Sequence, residues 1–457
     1  MSLIIPANSA SASGGFLVDN SCRFDGSSSK LVKAQSAGNR DLWTYSVWIK
    51  WSAITTTTTT FFTSSDGSNL YAYMGIQSYK LRFLDYNSDN QTNLITNRLF
   101  RDPSAWYHIV LAYDSAQGTD SNRVKLYVNG VQETSFSTET YPSSGLDSAV
   151  NVNSSNFIIS SNQEQSSGSM WNGYMAESCF IDGTAYAATD FGEFDEDSGI
   201  WKPISVSGLT FGTNGFYLDF EDSANLGNDA NGGTDFTESG LAAIDQTTDT
   251  PTNNFATFNP LVNNFGDNMT LSEGNLVATS ADAAWNSSFS TFGITQGKWY
   301  WEAKLTNTSN NYYHGVAGSN ILVANTENPM NSNGFTGFYN AEGGEILKDG
   351  NVTANDYGTL STNDILGVAL NADDYQITFY KNGVALVSNY ALSTTGRDTL
   401  FVLAVSAASG VSAYNFGNPP FAISSGNTDG NSKGNFEYAV PSGYLSLCTA
   451  NLSEVLG

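Results

Sequence analysis

Apolar residues in this chain recur mainly at every second position, in short runs closed by Gly, Ser, Asn and Asp. In "WTYSVWIKWS", Trp43, Tyr45, Val47, Ile49 and Trp51 share one parity, which predicts a strand with a single apolar face. "WYHIVLAYD" is apolar at both parities and predicts a central strand covered on both sides. "YAYMGI", "KLRFLDY", "FIISS" and "NGYMAESCFIDGTAY" continue a first series, and a second of the same texture runs from "GNLVATS" through "GKWYWEAKL", "YYHGVAG" and "TLFVLAVSA". Helical periodicity is not sustained anywhere, so the expected fold class is all-β, two jelly-roll β-sandwiches. "TTTTTTFF" at 55–62 reads as an exposed strand or loop.

Two echoing segments, "KLYVNGVQ" at 125–132 and "TFYKNGVA" at 378–385, each place Asn-Gly between alternating apolar residues. A type I′ turn needs positive φ at both central positions, so each predicts a tight hairpin. Leu126 and Val128 would face one way and Tyr127 the other, while Ile377 and Phe379 would share a face. The division that follows is an N-terminal anchoring arm over 1–17, a sandwich over 18–195, a connector over 196–262, a second sandwich over 263–445 and a tail over 446–457. The connector is rich in Asp, Asn, Gly and Thr, and Phe216, Leu218 and Phe220 give it one docked strand.

Composition narrows the function. The 457 residues suffice for two or three domains, and 40% apolar content supplies their cores. With 18 basic and 44 acidic residues the net charge is -26, which repels phosphate backbones and argues against nucleic acid as a partner while leaving room for divalent cations. Cys22, Cys179 and Cys448 are far apart and read as buried or incidental thiols, without a disulfide framework or zinc site. The N-terminus lacks the basic and apolar regions of a secretory signal, and no apolar run reaches a membrane span.

"FDGSSSKL", "YSVWIKW", "WYHIVLAYD", "VKLYVNGVQ" and "WNGYMAESCFIDGTAY" together resemble the laminin-G and concanavalin-A-like lectin sandwiches. "GKWYWEAKL", "DILGVAL", "ITFYKNGVAL", "FVLAVSA" and "AYNFG" resemble the SPRY domain, itself a concanavalin-like sandwich. Related sandwiches explain the repeated hairpin. Their arrangement, with "TDFGEFDEDSGIWKP" and "TDTPTNNFATFNPL" between them, is similar to virion surface proteins of tailed bacteriophages of aquatic bacteria. That resemblance implies a non-catalytic tail fibre or other surface fibre that contacts other virion proteins and binds a host-surface glycan or protein. It also implies a homo-oligomer, with a trimer preferred by analogy. A capsid decoration protein without a ligand is the alternative.

Candidate chemistry is sparse. His108 and His314 are the two histidines, and both read as packed or surface residues. Glu193, Asp195 and Asp197 in "GEFDEDSG" resemble the catalytic strand of family 16 glycoside hydrolases, which makes a jelly-roll glycanase using Glu193 and Asp197 a further alternative. Retaining hydrolysis needs carboxyl groups about 5 to 5.5 Å apart, whereas i and i+4 on a strand are roughly 13 Å apart, and the flanking glycines favour a charged loop. No cofactor is required. Calcium, which the lectin resemblance allows, would fall to Asp219, Asp222, Asn225 and Asp229. Trp171, Trp285, Tyr312, Tyr313 and Tyr339 are the candidate rings for stacking on a sugar, with Phe335 beside them.

Overall fold

The computed structural model describes residues 15–456 apart from 162–168, 263–268, 282–284, 308–311, 325–330, 341–342, 355 and 408–409. Residues 1–14 of the expected arm lie outside the described residues. The described part of the chain forms two compact units that divide between Thr252 and Asn253.

The first unit is a sandwich of two eight-stranded sheets. In the front sheet the strands run Val131–Gln132, Val124–Val128, Trp106–Asp114, Leu42–Trp51, Asn172–Asp182, Ser21–Asp25 and Gln246–Thr247, with Phe216–Leu218 also on Asn172–Asp182. In the back sheet they run Phe136–Thr140, Asn90–Thr96, Lys80–Asn87, Leu70–Gln77, Thr59–Ser65, Asn156–Ile159, Lys30–Ala34 and Thr237–Ser239. Neighbours that are distant in sequence make this a jelly roll. Trp43, Tyr45, Val47, Ile49 and Trp51 all enter the core between the sheets, as their alternation predicts. Ile109, Leu111 and Tyr113 join them. The other parity of the same strands, with Trp48, Trp106 and Val110, packs beneath Phe191, Trp201, Val206 and Phe211 on the outer side of the front sheet. The central strands are thus covered twice.

The second unit pairs an eight-stranded sheet, centred on Lys298–Leu305 and Ile365–Asn371, with a six-stranded sheet that includes Asn286–Ile294, Leu400–Ser406, Tyr312–Gly318 and Phe335–Tyr339. Trp299, Trp301, Leu366, Val368, Ile377 and Phe379 are buried between them.

Both Asn-Gly hairpins form, with φ of 49° and 78° at Asn129 and Gly130 and 48° and 79° at Asn382 and Gly383. Each asparagine does a second job. The Asn129 N–H donates to His108 O at 2.9 Å, and its side-chain Oδ1 accepts the His108 N–H at 2.7 Å. Asn382 makes the same pair of bonds to Ile365, both at 2.9 Å. The side chain therefore stands in for the carbonyl that would otherwise continue the ladder. Each glycine is required twice over: a Cβ at Gly130 would lie 2.3 Å from the Trp201 ring and one at Gly383 2.7 Å from the Tyr438 ring.

Four expectations need correction. The Thr-rich stretch is not exposed where it becomes a strand, because Thr59–Ser65 lies between two other strands and is buried throughout. The stretch 196–252 is not a connector but part of the first sandwich, contributing three strands of its sheets besides Trp201–Pro203. Phe216, Leu218, Phe220, Leu226 and Phe236 enter its core, each contributing roughly 1.5 to 3 kcal/mol. Ala256 and Phe258, also within the expected connector, belong to the core of the second unit. The C-terminal residues are no free tail: Leu445–Ser446 pairs with Lys298–Leu305, and Thr449–Leu456 is helical. At the other end, Phe16 packs on the outer cluster of the front sheet.

Polar segments are held by buried charge. Asp249 pairs with Lys50 at 2.7 Å, both side chains at 1% exposure or less, and accepts the Trp106 indole N–H at 3.0 Å. Glu302, fully buried, accepts the N–H groups of Glu437 and Tyr438 at 3.0 and 2.8 Å and the Asn415 amide at 3.2 Å. Asp429 accepts from the Ser446 N–H and hydroxyl and from the Asn451 amide.

Replacing Asp249 by Ala removes the carboxylate that faces the buried Lys50 ammonium and is expected to destabilise the first unit by about 3 to 5 kcal/mol in urea unfolding. Asn129→Ala and Asn382→Ala each remove the hydrogen bond to a strand N–H and are expected to cost about 1 to 3 kcal/mol.

Candidate ligand-binding site

Of the five candidate rings, the structure brings three together. Tyr313 and Tyr339 are directly paired across adjacent strands of the six-stranded sheet, with rings stacked at 4.1 Å and 5°. Trp285 stands edge-on to Tyr313 at 5.0 Å. They rim an apolar layer with Phe289, Phe335, Leu403 and Val405, in which Trp285 and Tyr339 are half-buried and Tyr313 is buried. Burial, then the neighbouring Tyr339 and Glu345, raise the Tyr313 phenol above its usual range. Trp171 and Tyr312 are not ligand platforms. Trp171 is fully buried between Trp51 and Phe61, and Tyr312 is buried in the core, where its hydroxyl bonds Asn307 and the Val411 N–H. Parity explains the split, because Tyr312 and Tyr313 point to opposite faces of one strand.

A second group of rings, none of them among the five candidates, lies in the first sandwich. Leu70–Gln77 and Lys80–Asn87 pair with Tyr71 opposite Tyr86, Tyr73 opposite Leu84 and Gly75 opposite Arg82. The intervening residues Ala72, Met74, Ile76, Leu81 and Phe83 are in the core, so this set faces outward. Tyr71 stacks on Tyr86 at 4.9 Å and 23°, and Tyr73 follows at 6.4 Å. Arg82 sits over the Tyr73 ring at 5.5 Å and donates to Tyr73 Oη at 2.8 Å, to Gln77 Oε1 at 3.1 Å and to Asn93 Oδ1 at 3.0 Å. Tyr71, Tyr86 and Arg82 are half-buried. The result is a ladder of stacked rings beside a guanidinium whose orientation is fixed by three acceptors. Flat apolar surface next to fixed polar groups is what a sugar ring or an extended peptide engages. The alternation in "LYAYMGIQ" made the parity readable, but aromatic and aliphatic residues on both sides hid which face stays open.

The proposed calcium ligands do not form a cage. Asp229 is buried, takes the Lys33 ammonium at 2.9 Å and accepts the Tyr217 N–H at 3.0 Å. Asp219 and Asp222 each close a local turn, accepting the N–H of Glu221 and Ala224, while the Asn225 amide donates to Asp235. Among the described residues no group of three or more His, Cys, Asp or Glu side chains could hold a metal ion. Of the four, Asp229 is committed to the Lys33 ammonium and the Tyr217 N–H within the fold.

The acidic "GEFDEDSG" segment is a hairpin, with Gly192–Phe194 antiparallel to Trp201–Pro203. Lys202 pairs with Glu193 at 3.3 Å and Asp195 at 3.1 Å. The Ser198 N–H, and then its hydroxyl, hold the Asp195 carboxyl down at about 2. Asp197 is exposed in the turn, and its N–H donates to Asp195. Both histidines are packed, and burial holds each at about 3. The Trp201 indole donates to His108 Nδ1 at 3.0 Å, which leaves Nε2–H to donate to Ser46 Oγ at 2.8 Å. His314 Nδ1 bonds Tyr414 Oη at 2.8 Å. The three cysteines are free and buried.

Glu177 and Asp85 are the two carboxyls of the first sandwich that burial raises, among the described residues. Glu177 sits at a bulge with φ of 51°, bonded by Tyr217 Oη at 2.6 Å, and burial raises it from 4.5 to about 7. A carboxyl raised in the fold contributes stability below its unfolded value that is lost as pH rises through the folded one. Glu177→Gln is therefore expected to gain stability relative to the parent between pH 4.5 and about 7, by about 1.4 kcal/mol per pH unit at most, and to keep a constant offset above that range. Paired urea titrations across pH read the difference.

The profile of the concanavalin A-like lectin/glucanases superfamily matches residues 24–185, and that of the SPRY domain matches residues 298–419. Both domain types expected from the sequence are thus found, and the two sandwiches are concanavalin-like. No curated protein matches the chain. Similar solved structures include the SPRY domain of human HERC1, 14% identical over 34% of this chain and 96% of that one, with a TM-score of 0.29. A heptameric SAP-like pentraxin from Limulus polyphemus is 16% identical over 38% and 80%, with a TM-score of 0.29. A putative carbohydrate binding protein from Bacteroides ovatus is 17% identical over 49% and 58%, with a TM-score of 0.36.

Proposed function

We propose that this chain is a non-catalytic binding protein of a virion surface, a tail fibre or other surface fibre of a tailed bacteriophage, that engages host-surface glycan through the outer face of its first sandwich. The observation that carries the binding reading is the stacked pair Tyr71 and Tyr86, half-buried on the outer face beside an Arg82 guanidinium held over the buried Tyr73 ring. Stacked rings cover the C–H face of a pyranose, and a guanidinium held by three acceptors meets hydroxyl or acidic groups without further ordering cost. A match to a lectin and glucanase superfamily over that same sandwich supports a saccharide ligand. The virion assignment rests on the order of the two domains and the phrases between them. A net charge of -26 suits an exposed protein that must not adhere to nucleic acid or to copies of itself at random. The second sandwich, with Trp285 and Tyr339 at the rim of its apolar layer, offers a further surface for other virion proteins.

On this reading a glycan array incubated with the purified chain gives a restricted set of positives. The double variant Tyr71→Ala, Tyr86→Ala loses them by at least ten-fold in affinity, while Trp171→Phe changes affinity little. Glycans are bound and recovered intact, and Glu193→Gln binds like the parent. Turnover that disappears in Glu193→Gln would replace this reading with a glycanase. Light scattering is expected to return the mass of a trimer, and a monomer that binds no glycan would favour capsid decoration.

A further inference from the structure

We infer that the front sheet of the first sandwich carries a separate pocket for a single acidic sugar residue, set between the strands Trp106–Asp114 and Val124–Val128 and the irregular segment 185–187. The pocket has a volume of about 170 Å³. It is far smaller than an oligosaccharide groove and of the order of one ring. The inference does not rest on the tyrosine ladder, which belongs to the other sheet.

Its floor follows from the register. Ala112 stands opposite Lys125, and Val110 opposite Tyr127. A small residue at 112 leaves the space, and Lys125 and Tyr127 flank it. Tyr186 closes the far wall. The frame is stiff on both sides. The Arg123 guanidinium donates to the carbonyls of Gln117, Gly118 and Pro142, which pins the loop between the two strands. The Tyr186 N–H donates to Thr44 Oγ1 at 2.8 Å, and its ring meets Phe191 edge-on at 6.2 Å. A site fixed in this way loses little freedom on binding.

The chemistry of the lining selects the ligand. The one carboxylate, Asp114, is already engaged by the Gln117 amide at 2.5 Å and the Ala116 N–H at 3.2 Å. Lys125 enters no ion pair among the described residues. Asp114 keeps its charge with both oxygens engaged, and beside it the pocket offers the Gln117 and Asn122 amides, an ammonium that enters no such pair, and two tyrosine rings. Aromatic walls take the C–H face of a pyranose, and a half-buried ammonium takes a carboxylate better than a neutral hydroxyl. In a chain with 18 basic and 44 acidic residues, long-range charge disfavours an anion, but that field is screened beyond about 8 Å at physiological salt. A contact within the pocket is not. The ligand class is accordingly a uronic acid or another carboxylated pyranose.

Ligand-observed saturation-transfer NMR on the full chain, with methyl glucuronide and methyl glucoside as probes, tests this. Glucuronide is expected to bind in the millimolar range and glucoside at least ten-fold more weakly. Lys125→Met should abolish the preference, and Ala112→Leu, which fills the floor, should abolish binding of both. Tyr71→Ala, Tyr86→Ala should leave glucuronide binding unchanged, which separates this pocket from the proposed glycan face. Thermal unfolding of each variant confirms that it is folded. Absence of transfer to either sugar, equal binding of the two, or a folded Lys125→Met that binds glucuronide like the parent would overturn the assignment.

Discussion

The fold depends on burying charge where apolar side chains are scarce. Lys50 and Asp249 meet inside the first unit with almost no exposure, and the pair is tolerable because Asp249 also takes the Trp106 indole and Lys50 lies over the Tyr174 ring at 5.4 Å. In the second unit Glu302 and Asp429 each collect several donors from segments that are not long strands. Burial raises the Glu302 carboxyl, and its hydrogen bonds pull the other way. These carboxylates act as clasps. Each fastens a polar length of chain that hydrophobic burial alone would leave loose.

Apolar packing decides where a ligand can reach. The front sheet of the first sandwich needs a cover on its outer side, since Trp48, Trp106 and Val110 would otherwise face water, and the 186–211 segment supplies it. The cover stops short of Ala112 and Lys125, which is where the small pocket opens. On the back sheet, Tyr71 and Tyr86 remain half-buried and carry the broader face. Both candidate surfaces are places where a β-sandwich has aromatic residues that its own packing does not fully enclose.

The strands were legible because period-two alternation is a local property. Trp43 to Trp51, the double-sided Trp106–Asp114 strand and both hairpins follow from residue order and turn stereochemistry. What was not legible is non-local. Nothing near Asp249 announces Lys50, 199 residues away, so a stretch poor in apolar residues reads as a connector although it completes the sandwich. Thr59 to Ser65 reads as exposed because threonine is polar, yet strand pairing on both sides buries it. Among the candidate rings, Trp285, Tyr313 and Tyr339 come together, whereas Trp171 and Tyr312 are claimed by the core. A tryptophan before a strand looks the same in sequence whether the sheet closes over it or not. The calcium candidates have different partners for a related reason, since Asp229 meets Lys33, Asp219 and Asp222 accept from their own turns, and Asn225 donates to Asp235.

The hairpin that occurs twice has a chemical consequence as well as a mechanical one. Asn-Gly is the dipeptide most open to spontaneous deamidation, in which the glycine nitrogen attacks the asparagine side-chain carbonyl to form a succinimide. In both turns that carbonyl oxygen is held by a strand N–H, from His108 or Ile365, and the glycine is packed under an aromatic ring. Cyclisation would have to break the ladder bond and move the ring. Folding therefore slows ageing at these two of the six Asn-Gly dipeptides in the sequence, and isoaspartate at 129 or 382 would record time spent with that hairpin open.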